Sequence, residues 1–159
     1  MIKRSEKVAF MECSQDGQTT YTRMTGFTEF SVSKNPKEYS RKYIDEDLER
    51  SEVVGYSPII SYKLDVDPKN IVHNFLGMVA DNEMMGSDAK CNIMIADLSN
   101  INEDGSANAI VRAFSIIPGT EGDDKNTYTL SGSFKAIGEK KFGIATSLDN
   151  WQTVSFTEN

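Results

Sequence analysis

Hydrophobic and polar residues alternate with a period of two over several short runs. In NTYTLSGSFKA (126–136), Tyr128, Leu130, Phe134 and Ala136 share one face, while Thr127, Thr129, Ser131, Ser133 and Lys135 share the other. Successive side chains of a strand point to opposite sides, so this run predicts a half-buried strand with one core face and one wet face. SPIISYKLDV (57–66) behaves alike, with Ile60, Tyr62, Leu64 and Val66 opposite Ser57, Ser61, Lys63 and Asp65, Ile59 being the exception. CNIMIADL from Cys91 and NAIVRAFSII (108–117) are apolar on both parities apart from Arg112 and small polar residues, which predicts strands covered on both faces. Asp104-Gly105 lies between them and predicts a hairpin over 91–117.

One segment changes period. In DPKNIVHNFLGMVADNEMMG (67–86), Ile71, Val72, Phe75, Leu76 and Val79 form a single stripe at helical spacing, with Asp67 a candidate cap and Pro68 suited to a first turn. A helix of about three turns is expected, ending near Met85-Gly86. Further turn signals stand at Asp16-Gly17, Asn35-Pro36, Pro118-Gly119 and GEKKFG (138–143). Short strands between turns, with one helix, predict a mainly β antiparallel sandwich or barrel-like fold flanked by one α-helix, with a long extended loop.

That loop is the stretch without a core face. Between Asn35-Pro36 and Ser57 stand Lys37, Glu38, Arg41, Lys42, Asp45, Glu46, Asp47, Glu49, Arg50 and Glu52. So long a connection inside a compact domain is usually functional or disordered. Tyr39, Tyr43, Ile44, Leu48, Val53 and Val54 recur through it and argue against pure disorder. Two readings stay open: a solvated surface helix or loose hairpin, and an arm that docks on a neighbouring molecule through apolar anchors and paired charges.

Composition narrows the function. The 159 residues, 38% hydrophobic and 26% charged, suffice for one domain with a single sizeable core. The net charge of -7 is uneven: residues 1–80 carry 11 basic and 12 acidic side chains, residues 81–159 carry 6 and 12. A chain without a basic stripe is poorly suited to gripping nucleic acid, whose affinity comes mainly from Lys and Arg on phosphates. Cys13 and Cys91 match no metal motif and are expected as small buried residues in a reducing cytoplasm. No signal-peptide run and no membrane-spanning stretch is expected.

Candidate chemistry is sparse. His73 has neither a nucleophile nor a second ligand at helical spacing, and is expected to be a partly exposed helix residue. PGTEGDDKN (118–126) gathers Glu121, Asp123 and Asp124 but lacks the ligand alternation of a calcium loop, so a solvated turn is expected. Met84-Met85 and the aromatics are spaced as core. No catalytic constellation, metal site or cofactor is expected.

SKNPKEYSRKYID (33–45) and GYSPIISYKLD (55–65), followed by the amphipathic helix and by YTLSGSFKAIGEKKFG, resemble the major tail tube proteins of long-tailed bacteriophages and related prophages over roughly residues 26–143. The resemblance implies one tail-tube-like domain over 1–159, with an assembly arm at 37–54. Its interface residues would be Tyr39, Arg41, Lys42, Tyr43, Ile44, Asp45, Glu46, Asp47, Leu48, Glu49, Arg50 and Val53. It also implies a virion tail subunit, made in the host cytoplasm, that self-assembles into stacked hexameric rings and meets other tail proteins at the tube ends. DNA would pass through the hollow tube without specific binding. The alternative is a monomeric ligand-binding β-sandwich or barrel.

Overall fold

The structure is a computed structural model that describes the backbone of residues 1–15 and 18–159 and the side chains other than those of 13–19; the Asp16-Gly17 turn and the Cys13 side chain lie outside the described residues. In chain order the strands are β1 (Lys7–Gln15), β2 (Gln18–Arg23), β3 (Phe27–Ser33), β4 (Pro36–Arg41), β5 (Arg50–Tyr56) and β6 (Ile59–Asp65). The helix α1 (Ile71–Asp81) follows, then β7 (Lys90–Ile101), β8 (Ala107–Glu121), β9 (Thr129–Ala136), β10 (Lys141–Ser147) and β11 (Thr153–Glu158). The fold is mainly β and antiparallel, as the alternation predicts.

The long strand β8 organises the sheet. One edge pairs with β7, and the predicted hairpin forms with Cys91 opposite Phe114 and Met94 opposite Val111. On the other edge, Ala107 to Val111 pair with β10, and Phe114 onward pairs with β9. Because β10 also pairs with β11, the strands β8, β10, β11, β2, β1 and β7 close into a ring. From the far half of β8, the strands β9, β6 and β3 run on as an open sheet.

A ring of so few strands is narrow, and its interior must be filled by side chains of matched size. Ala96, Ala107, Ala109 and Ala145 fill it together with Val8, Phe10, Tyr21, Met94, Val111 and Val154, all buried. Gly143 meets the same crowding, since a Cβ there would stand 2.2 Å from the carbonyl oxygen of Thr157. The opposite parity of the same strands carries Met11, Cys91, Ile93, Phe114 and Ile116, which cluster with Ile60, Leu64, Leu130 and Phe134 beneath Val72, Leu76 and Val79 of α1. The parts of β7 and β8 that carry these residues are therefore covered on both faces, one by the barrel interior and one by the helix.

Several expectations need correction. The helix cap is Asn70, whose side chain accepts hydrogen bonds from the backbone of Val72 and His73; Asp67 accepts instead from the Lys69 backbone, one turn earlier. The helix stops at Asp81, and Asn82 closes it with backbone bonds to Met78 and Ala80. Ile71 and Met85 are exposed, while Phe75 and Met84 only flank the core. Tyr128 precedes β9 and stands exposed, its hydroxyl donating to Glu121. Pro118 does not turn the chain, because it sits in β8 beside a register shift, where a missing N–H is tolerated. Gly143 likewise lies within β10 rather than in a turn.

His73 differs most from expectation. It is 1% exposed, not partly open. Its Nδ1 accepts from the Asp67 backbone N–H at 3.0 Å, which leaves Nε2 as the donor to the Thr25 carbonyl at 2.6 Å. The ring also meets the edge of Phe27, and Gly26, at φ +76°, is held so close that a Cβ would lie 2.8 Å from His Cε1. His73 is thus a satisfied strut joining the helix to the chain before β3.

Candidate functional site: the exposed hairpin

The charged stretch is neither a helix nor a shapeless loop. β4 and β5 pair only with each other, with Tyr39 opposite Glu52, Ser40 opposite Ser51 and Arg41 opposite Arg50. β3 pairs with β6 on the body side, Ser33 facing Ile59, so the whole run from Phe27 to Asp65 is one long hairpin interrupted in the middle. The interruption falls at Lys34-Asn35 on one side and Ser57-Pro58 on the other. Asn35 takes φ +45°, and Pro36, without an N–H, begins the new ladder. A clasp holds the joint: Asn35 Nδ2 donates to the Ser57 carbonyl at 3.2 Å, and the Ser57 N–H donates back to the carbonyls of Lys34 and Asn35.

Beyond the clasp nothing covers the ribbon. Every residue of β4 is exposed, and in β5 only Gly55 is partly sheltered. Of the expected interface residues, Tyr39 and Arg41 lie on β4, Arg50 and Val53 on β5, and Lys42, Tyr43, Ile44, Asp45, Glu46, Asp47, Leu48 and Glu49 form the tip. Ile44 and Leu48 project furthest, at 108% and 79% exposure. Val54 and Tyr56 are exposed as well, the first already among the apolar residues that recur through the stretch.

Electrostatics shapes the ribbon locally. Arg41 and Arg50 stand directly opposite, an unfavourable like-charge pair. Each turns aside: the Arg41 guanidinium lies 4.9 Å from the Tyr39 ring centre, and Arg50 reaches Glu46 at 2.5 Å and leans toward Tyr43. Exposed pairs of this sort contribute at most about 1 kcal/mol, and a lone two-stranded ribbon is marginal in water. The ribbon therefore holds its shape chiefly through its ladder and the clasp at its root.

At that root lies an open groove of about 660 Å³ lined by Lys34, Tyr56, Pro58, Arg112, Glu139, Lys140 and Phe142. These residues come from four separated stretches, so no spacing along the chain joins them. Arg112 is fixed by donating from Nε to the Gly138 carbonyl at 2.6 Å. Burial, then the neighbouring charges of Lys34 and Arg112, push the Lys140 pKa below its ordinary value.

Elsewhere the acidic loop after β8 is occupied by its own contacts. Asp123 binds Lys63 at 3.1 Å and accepts from Thr129, while Asp124 accepts from the Asn126 backbone. Among the described residues no group of three or more His, Cys, Asp or Glu is placed to hold a metal ion, and no helix is long and apolar enough to cross a membrane.

No protein-family model matches the chain, and no curated protein matches it. Among solved structures, it is similar to a chain in the cryo-EM structure of the anti-feeding prophage (AFP) baseplate, six-fold symmetrised. The TM-score is 0.50 at 7% identity, over 89% of this chain and 95% of that one. At that identity the likeness is one of fold. The fold is thus shared with a chain of that prophage baseplate structure.

Proposed function

We propose that this chain is a structural subunit of a phage tail or tail-derived particle, a tail-tube-like unit that self-assembles into stacked hexameric rings, with residues 37–54 as the arm that docks on a neighbour. The observation that carries this is the β4–β5 ribbon, which exposes Tyr39, Tyr43, Ile44, Leu48, Val53 and Val54 and packs none of them on its own core. Exposed apolar side chains grouped on a projecting element mark interaction surfaces. The fold shared with a baseplate chain points the same way. A monomeric ligand-binding barrel is disfavoured because the barrel interior is already filled by Phe10, Met94 and the four alanines.

The acidic balance suits a tube through which DNA slides, since a wall rich in Lys and Arg would hold phosphates by releasing their counterions. Negative-stain electron microscopy of the purified full chain across a concentration series tests the proposal. Rings or tubes are expected; a protein that stays monomeric in sedimentation velocity at every concentration overturns it.

A further inference from the structure

We infer that the groove at the root of the ribbon is the receptor for the ribbon tip of a second copy of this chain, so that copies join head to tail. The inference rests on the proposed self-assembly and adds the identity of the contact. The two surfaces match in chemistry. The tip carries Asp45, Asp47 and Glu49, none of them in an ion pair among the described residues, and Glu46 is held by Arg50. The groove gathers Lys34, Arg112 and Lys140 around one opening, and neither lysine is in an ion pair among the described residues. Three cations set against the single carboxylate of Glu139 repel one another, and an arriving carboxylate relieves that repulsion.

The apolar parts match as well. Ile44 and Leu48 stand out from the tip, and the groove offers Tyr56 and Phe142, 60% and 56% exposed, as walls for them. Lys42 at the tip and Glu139 in the groove supply one pair of reversed sign, which sets orientation.

The contact cannot form within one molecule. Tyr56 lies at the start of the ribbon and the tip at its far end, six residues of β4 away, a span of about 20 Å at the rise of an extended strand. A tip entering a groove of the next copy leaves its own groove open for a third. Such a heterologous contact propagates, closing into a ring or continuing as a stack.

The test uses the full-length chain, read by sedimentation velocity and electron microscopy. Lys34→Glu with Lys140→Glu should leave the circular-dichroism spectrum and melting temperature of the monomer unchanged, and raise the concentration for half-assembly by more than roughly tenfold, because like charges then face each other. Adding Asp45→Lys and Asp47→Lys to the same chain should restore assembly. A Leu48→Cys, Phe142→Cys variant should form intermolecular disulfide ladders on oxidation, and each single variant should not. If the wild type assembles and the Lys34→Glu, Lys140→Glu variant assembles equally well, the groove is not the receptor and self-assembly stands without it. Failure of the four-fold variant to regain assembly also overturns the contact. A wild type that never assembles overturns both.

Discussion

The β7–β8 hairpin and the β4–β5 hairpin share one backbone pattern and meet opposite surroundings. β7 and β8 bury Met94, Ala96, Ala109 and Val111 inside the barrel and Cys91, Ile93, Phe114 and Ile116 under the helix. β4 and β5 bury no residue on either face. Both ladders satisfy their shared backbone groups, so hydrogen bonding does not separate them. Burial does, because apolar area removed from water is the main stabilising term, at about 25 cal/mol per Å². The first hairpin is where stability resides; the second keeps its apolar side chains available to something outside the chain.

The sharpest way to break this contrast is to truncate one large side chain in the core that covers β7 and β8 and one in the ribbon. Phe134 is fully buried, stacked on Tyr62 with ring centres 4.4 Å apart. Phe134→Ala should cost about 3–5 kcal/mol, lowering the melting temperature by roughly 2–4 °C for each kcal/mol. Tyr39→Ala in the ribbon should change monomer stability by no more than about 0.5 kcal/mol. Comparable shifts for the two would mean that the ribbon packs on its own body.

The contrast also explains what could be read from the sequence. A strand with one wet face announces itself by alternation, so the core face of β6 and β9 was legible at Ile60, Tyr62, Leu64, Leu130 and Phe134, all buried, whereas Tyr128, expected on that face, is exposed and Thr129, expected on the wet face, is buried. Two-sided apolar runs gave the β7–β8 pairing and its covered faces, yet not the closure of β10 onto β8, which depends on a long-range pairing that no local pattern encodes. His73 looked exposed because its partners, the Thr25 carbonyl and the Asp67 N–H, are backbone groups without a side-chain signature. In the ribbon, the recurrence of Tyr39, Tyr43, Ile44, Leu48, Val53 and Val54 argued against disorder. The charges concealed its strands, since no core imposes a face on them, and the groove at its root was invisible for want of any linear spacing.

Inside the barrel the contrast can be sharpened by adding volume. Ala109, 3% exposed, faces Ala96 across the β7–β8 ladder inside the filled ring. Ala109→Leu should cost about 1–3 kcal/mol through overpacking. A corresponding Ser51→Leu in β5, where the side chain faces solvent opposite Ser40, should leave the melting temperature unchanged within about 0.5 kcal/mol. A neutral Ala109→Leu would mean that the barrel interior is looser than its alanine lining implies.

Acid should act on the body through a few surface carboxylates. Asp97 is held at about 2, below the ordinary 3.8, first by its hydrogen bond from Lys7 and then by Ser99. Asp104, Asp123 and Asp149 are lowered in the same direction by Ser106, by Thr129 with Lys63, and by Thr153. A carboxyl that ionises more readily folded than unfolded stabilises the fold fully above its unfolded value, and that contribution disappears as pH falls through the folded one. The melting temperature should therefore decline between about pH 4 and pH 2, the range between the ordinary carboxylate value and that of Asp97. Asp97→Asn should flatten part of the decline. These groups are exposed, so the effect is smaller than that of the core substitutions, and an unchanged slope in Asp97→Asn would remove Asp97 from the account.

The smallest expected effect on stability belongs to the largest change in the chain. Replacing residues 40–52 with a short Gly/Ser linker removes the tip and half of the ladder while sparing the clasp between Asn35 and Ser57. Loop closure changes by only about 0.6 kcal/mol for each doubling of length, and no buried side chain is lost, because none of these residues is buried. The monomer should keep its melting temperature. Assembly, if it depends on Tyr43, Ile44, Leu48 and the tip carboxylates meeting a neighbour, should vanish. The opposite pattern, a destabilised monomer that still forms rings or tubes, would show that the ribbon supports its own body and that copies meet elsewhere. Melting temperature and assembly together therefore distinguish an element that holds one molecule together from one that holds many.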